Sequence, residues 1–156
     1  MRIRLICVGT KMPAWINTGF QEYAKRLPVD CRLELVEIPP GHRGKGADVQ
    51  RAIEKESRQI LAALGKDECV VALDVEGRQW STEKLATVIG GWQMGGQNVA
   101  LLIGGPDGLS AECLARAQQR WSLSNLTYPH PLVRVILSEQ IYRAWSLLNN
   151  HPYHRA

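Results

Sequence analysis

Residue types whose spacing could do chemistry concentrate in the second half of this 156-residue chain. Leu101-Leu102-Ile103 runs into Gly104-Gly105-Pro106-Asp107-Gly108-Leu109-Ser110, a glycine-rich turn between an apolar run and a serine able to cap a helix. Such a turn lets backbone approach a ligand closely. It is neither Gly-x-Gly-x-x-Gly nor a P-loop, since no Lys-Ser/Thr follows the glycines to hold phosphates. On these residues alone, a plain tight turn reads as well as a ligand site. Next comes Ser122-Leu123-Ser124-Asn125-Leu126-Thr127-Tyr128-Pro129-His130-Pro131, where small polar residues alternate with leucines. Leucines between polar side chains fit an apolar slot with a hydrogen-bonding rim, as an adenine ring needs, and fit equally a loop whose leucines plug the core. The end of the chain, Asn149-Asn150-His151-Pro152-Tyr153-His154-Arg155-Ala156, gathers groups that stack on bases, contact phosphate or move protons near neutral pH. Disorder is the usual alternative for a chain end.

These segments need a framework, and the hydrophobic pattern supplies one. β-favouring apolar runs at Ile3 to Val8, Leu33 to Ile38, Cys69 to Asp74, Val99 to Ile103 and Trp121 to Leu123 predict strands. Between them, helical spacing predicts helices over Trp15 to Arg26 and Asp48 to Leu64, one capped by Ser81 and ending near Trp92, and one capped by Ser110 and running through Ala117. A last helix opens at Pro131 and runs to Leu148. Strands alternating with helices predict an α/β domain, a largely parallel sheet of five or six strands flanked by helices. The apolar arc of the last helix, Val133, Ile136, Leu137, Ile141, Tyr142, Ala144, Trp145 and Leu148, exceeds one core-facing stripe. Packing on a second subunit or deep burial in its own domain would each account for it.

Composition bounds the rest. Hydrophobic residues at 45% and charged residues at 22% match a folded globular chain, and the length suits one domain spanning residues 1–156. No apolar run approaches the roughly 20 residues of a membrane helix, and the N-terminus does not read as a signal peptide. A cytoplasmic protein is the expectation. Cys7, Cys31, Cys69 and Cys113 form no Cys-x-x-Cys pair and have no histidine at ligand spacing, so no metal is expected and buried, reduced thiols are. A net charge of +4 permits contact with phosphate backbones without demanding it. A nucleotide-binding α/β protein and a non-catalytic binding protein that uses a weakly basic surface both remain compatible with these features.

Taken in order, Val8-Gly9-Thr10-Lys11, Gly19-Phe20-Gln21-Glu22-Tyr23, Leu73-Asp74, Leu102-Ile103-Gly104-Gly105-Pro106, Leu123-Ser124, Pro129-His130, Leu132-Val133-Arg134 and His151-Pro152-Tyr153-His154-Arg155 are similar to the small bacterial large-subunit ribosomal RNA pseudouridine N3-methyltransferases of the SPOUT superfamily. The resemblance covers essentially the whole chain. It implies a C-terminal trefoil knot, which general topology rules argue against. It also implies a homodimer with S-adenosylmethionine (SAM) in the knot. The implied cofactor site comprises Leu73, Gly104, Gly105, Leu123, Ser124, Asn125, Leu126, Thr127 and Tyr128. For the RNA step it points to His154 as the base that removes the N3 proton, Tyr153 as a stacking or hydrogen-bonding partner and Arg155 as a phosphate or base contact. With no added RNA-binding domain expected, recognition falls to Lys11, Arg43, Lys45, Arg134 and the tail, on ribosomal RNA presented by the large subunit or the assembled ribosome.

Overall fold

Runs that alternate as sharply as these fold into parallel strands with helical crossovers. A computed structural model describes residues 1–155, with Ala156 of the tail lying outside them. In chain order the elements are β1 (Arg2–Val8), α1 (Ala14–Ala24), β2 (Arg32–Ile38), α2 (Val49–Ala63), β3 (Cys69–Gln79), α3 (Thr82–Met94), β4 (Val99–Ile103), α4 (Ala111–Arg116), β5 (Gln119–Ser122) and α5 (His130–Leu148). Short 3₁₀ turns add Val29–Cys31 and Pro152–Arg155. The sheet has five strands in the order β2-β1-β4-β3-β5, all pairings parallel.

Central strands of a parallel sheet are covered on both faces, which explains why β4 is buried at every position. Period-2 alternation sorts the core into two layers. From β1, Ile3, Leu5 and Cys7 join Phe20 of α1, Leu85, Ile89 and Trp92 of α3, and Leu137, Ile141 and Ala144 of α5. Ile6 and Val8 face the other way, with Ile60 of α2 and Cys113 of α4. The expected serine caps are formed: Ser81 accepts from Lys84 N at 3.0 Å and Ser110 from Cys113 N at 3.1 Å. Burial pushes the Cys7 thiol up to about 12 and the Cys31 thiol to about 11, so both stay protonated and inert.

Several expectations are corrected. β3 does not stop at Asp74; after a register shift between Leu73 and Arg78 it continues to Gln79. The shift turns residues 74–77 out of the ladder, as an irregularity of this kind re-aims side chains. The last helix opens at His130, with Pro131 inside its first turn. Its broad apolar arc is largely used within the chain, because α5 packs against both α1 and α3. Gly19 makes the first contact close: a Cβ there would lie 3.2 Å from Val135 Cγ2. Breadth of the arc is therefore no ground for a second subunit.

Arg134 is also not the surface cation expected. It is fully buried, donating from Nη1 to Glu37 Oε2 at 2.7 Å and from Nη2 to the Gly9 carbonyl at 2.9 Å. These bonds tie α5 to the ends of β1 and β2. Truncation leaves the buried Gly9 carbonyl unmet and a void where a fully buried side chain stood, so Arg134→Ala should lower stability by about 3 kcal/mol, the scale for emptying a packed site. Urea unfolding would measure this, and a loss under about 1 kcal/mol would contradict the bracing role.

Candidate active site

In open parallel sheets the carboxyl ends of the strands leave backbone groups and loops free to surround a ligand. Here the ends of β3, β4 and β5 enclose a cleft of about 520 Å³. Its walls come from the separate segments singled out in the sequence. Leu73 arrives on β3, Gly104 and Gly105 follow β4, and Leu123, Ser124, Leu126, Thr127 and Tyr128 follow β5. Asn125 is the exception. It is exposed, and its Oδ1 accepts from Gln79 Nε2 at 2.6 Å, so it pins the loop to the extended end of β3 instead of facing the cleft.

The glycine loop is folded on itself by a bridge between Gly105 and Gly108. A Cβ at Gly104 would lie 2.5 Å from the Gly108 carbonyl carbon, and one at Gly105 would lie 3.0 Å from Val8 Cγ1. Packing of the loop on its own backbone thus demands glycine at position 104, while position 105 is tight against a side chain of β1. Arg43 locks the same loop from outside, with Nε to Asp107 Oδ2 at 2.8 Å and Nη2 to Glu56 Oε1 at 3.0 Å, plus a further bond from Nη1 to Glu56. The carboxylates raise the Arg43 pKa above its ordinary value. Arg43 is therefore committed inside the protein and corrects the expectation of an RNA contact, whereas Lys11 and Lys45 are exposed.

Sequence reasoning missed several cleft residues. Asp74, Glu76 and Asp107 line it, the last with its carboxylate paired to Arg43. Asp74 and Glu76 reach it because of the β3 irregularity, which no local pattern announces. His130 lines the cleft from the start of α5, and burial first, then Arg134 and Arg43, lower its pKa, leaving a neutral imidazole at neutral pH. Trp121 stacks on Trp80 with ring centroids 4.8 Å apart, and its buried Nε1 has no hydrogen-bond partner among the described residues.

The described residues of the tail lie elsewhere. Pro152–Arg155 forms a 3₁₀ turn against α5. Tyr153 donates to Glu139 Oε1 at 3.2 Å and stands 4.7 Å from the Tyr142 ring, with the Arg143 guanidinium 5.0 Å from its own centroid. Burial and Glu139 push the Tyr153 phenol up to about 12, so it remains a donor near neutrality. His154 is half-buried and its Nδ1 has no partner among the described residues, while Arg155 is exposed. None of Tyr153, His154 and Arg155 lines the cleft. His130 opens α5 at the cleft, and at 1.5 Å per residue Glu139 and Tyr142 lie roughly 14–18 Å further along the helix. Within one chain, the two candidate parts of an active site are kept apart.

Among the described residues, no helix is long and apolar enough to cross a membrane. A family model described as "Predicted SPOUT methyltransferase" matches residues 1–154. The chain is 63% identical over 156 residues, the full length of both, to a protein of Alkalilimnicola ehrlichii named ribosomal RNA large subunit methyltransferase H. A protein of the same name from Marinomonas sp. is 60% identical over 155 residues, 99% of this chain and 100% of the relative. Among solved structures, a probable methylase family protein from Haemophilus influenzae superposes with TM-score 0.55 at 16% identity, covering 97% of this chain and 69% of that one, a likeness of fold alone. With a family match over nearly all its length and relatives aligned end to end, the chain belongs to the SPOUT methyltransferase family.

Proposed function

We propose that this methyltransferase uses SAM to methylate N3 of a pseudouridine in 23S ribosomal RNA, working as a homodimer on assembled ribosomes in the cytoplasm. The observation that carries the reading is the cleft at the ends of β3, β4 and β5. Its chemistry fits the cofactor: Leu73, Leu123, Leu126 and Ile103 offer apolar walls to an adenine, and the carboxylates of Asp74 and Glu76 suit a ligand bearing ammonium and sulfonium charge. When bound, SAM supplies an electrophilic methyl group without a metal. The relatives named for large-subunit ribosomal RNA support the substrate.

The protein's own task is then to hold a base, take its N3 proton and exclude water. Separation of tail and cleft supports a dimer in which the tail of a second copy completes the cleft. Trp15 at 62% and Leu126 at 68% exposure are apolar groups that such a contact would cover. In that arrangement His154 of the second copy accepts the N3 proton, Tyr153 stacks on or hydrogen-bonds to the base, and Arg155 meets a phosphate.

The test is thermal stabilisation by SAM, followed by mapping of methylated nucleotides in ribosomes from cells lacking this protein, before and after treatment with enzyme and SAM. A specific shift in melting temperature and one pseudouridine gaining an N3 methyl are expected. Stabilisation by ATP or NAD instead, or transfer to no ribosomal nucleotide, would overturn the reading. Light scattering that found a monomer at micromolar concentration would remove the shared site.

A further inference from the structure

A second cavity, of about 480 Å³, opens at the ends of β1 and β2 and adjoins the cleft through two shared residues, Pro106 and His130. We propose that this cavity is the subsite for the target nucleotide, taking a pyrimidine base turned out of its RNA stack while Lys11 meets the adjoining phosphate. The inference rests on the reading of the larger cleft as the cofactor site.

Shape and charge both point this way. Val8, Met12, Pro40 and Pro106 give the cavity apolar walls. Such surfaces suit the faces of a flat ring, and unstacking a base for chemistry requires faces of this kind to replace the stack. The floor is kept open at Gly9, whose φ of +124° disfavours a side chain and where a Cβ would come within 2.7 Å of Met12 Cε and 3.9 Å of His130 Nε2. His130 thus stands at the boundary of the two cavities, and as a neutral imidazole it can hydrogen-bond a pyrimidine edge carbonyl or N–H without imposing charge.

Charge sorts the two cavities. Asp107 of the cleft and Arg43 of the second cavity pair with each other, which leaves Asp74 and Glu76 as the charged side chains of the cleft and Lys11 as that of the second cavity. Arg43 is tied to Glu56 and Asp107, but exposed Lys11 enters no ion pair among the described residues. A cationic cofactor is favoured in the first and a phosphate-bearing strand at the second. Adjacent cavities of opposite charge sharing a wall suit a transfer between two bound reactants.

Thr10→Trp and Pro40→Trp test the proposal, since both residues are exposed, line only the second cavity and come from different loops. Wild type is measured first for SAM affinity and for single-turnover methyl transfer to ribosomes; failure of either overturns the parent reading and this inference with it. Given an active wild type, each variant should keep SAM affinity within about threefold while transfer falls by about 100-fold, the cost of misplacing a reactant. Transfer within about threefold of wild type in both variants would overturn the subsite alone. Parallel loss of SAM affinity would also overturn it, by showing that the cavity belongs to the cofactor cleft. Lys11→Ala fills no space, so it should retain SAM affinity but weaken ribosome binding with a shallower salt dependence, and an unchanged salt slope would remove the phosphate contact.

Discussion

Removal of residues 153–156 is expected to leave SAM affinity within a few-fold of wild type and to lower methyl transfer by orders of magnitude. The reason is spatial: Tyr153 lies beside Glu139 and Tyr142 of α5 and Tyr23 of α1, and none of the described tail residues lines the cleft. Within the tail, His154→Ala should reduce single-turnover rate by roughly 10²- to 10⁴-fold, the range for a lost proton-transfer group. Arg155→Ala should weaken ribosome association and its salt dependence instead. An unchanged rate and pH profile in His154→Ala would exclude it as the base. Because the Tyr153 phenol is pushed up to about 12, suspicion would then pass to His130, already neutral at the cleft, or to water.

The dimer allows a sharper version. Mixing tail-deleted chains with chains carrying a cleft-disabling substitution yields hybrids in which one intact cleft faces one intact tail. Random pairing should restore about one quarter of wild-type activity, because half the dimers are hybrid and each has one complete site. A tail acting on its own cleft would give no recovery.

The substitution to use in that mixture is Gly104→Val, for which SAM binding should become undetectable while the dimer persists. A Cβ there would lie 2.5 Å from the Gly108 carbonyl carbon, 2.7 Å from its oxygen and 2.8 Å from Leu109 N. Backbone cannot yield as a side-chain tip can, so the whole turn must move, and it forms a wall of the cleft. Gly105→Val should be milder, since its Cβ would meet a side-chain methyl, Val8 Cγ1, at 3.0 Å. Calorimetry on both variants, with light scattering and circular dichroism to establish assembly and folding, checks the order. Wild-type affinity in Gly104→Val would dissociate the glycine loop from the cofactor.

Local pattern was sufficient wherever neighbours in sequence decide the outcome. Five strands, the helices between them and the capping serines Ser81 and Ser110 follow from periodicities and capping chemistry acting over a few residues. The motif segments were legible for a similar reason: glycines and small polar residues mark turns, and strand order in a parallel sheet brings such turns to one edge. Resemblance added what pattern does not hold, grouping Leu73, Gly104, Gly105 and the segment 123–128 as one site, all but Asn125 on the cleft, and implying a knot. The chain's return from β5 at one edge to α5 beside Gly9 crosses the ends of β3 and β4, the route on which the knot implied by SPOUT membership would close.

Tertiary structure decided the rest, because the determining contacts join residues far apart in the chain. Arg134 reads as a surface cation until Glu37 and Gly9, 97 and 125 residues away, enclose it. Arg43 reads as an RNA contact until Glu56 and Asp107 close on it. Asn125 falls in a cofactor-like string, yet Gln79 holds it outside. Asp74 and Glu76 become cleft carboxylates only because β3 breaks register against β5. Residue type and spacing settle which local element forms and which groups are available, but whether a charge meets solvent, a ligand or a buried partner depends on how distant elements pack, and that energy appears only once the chain has closed on itself.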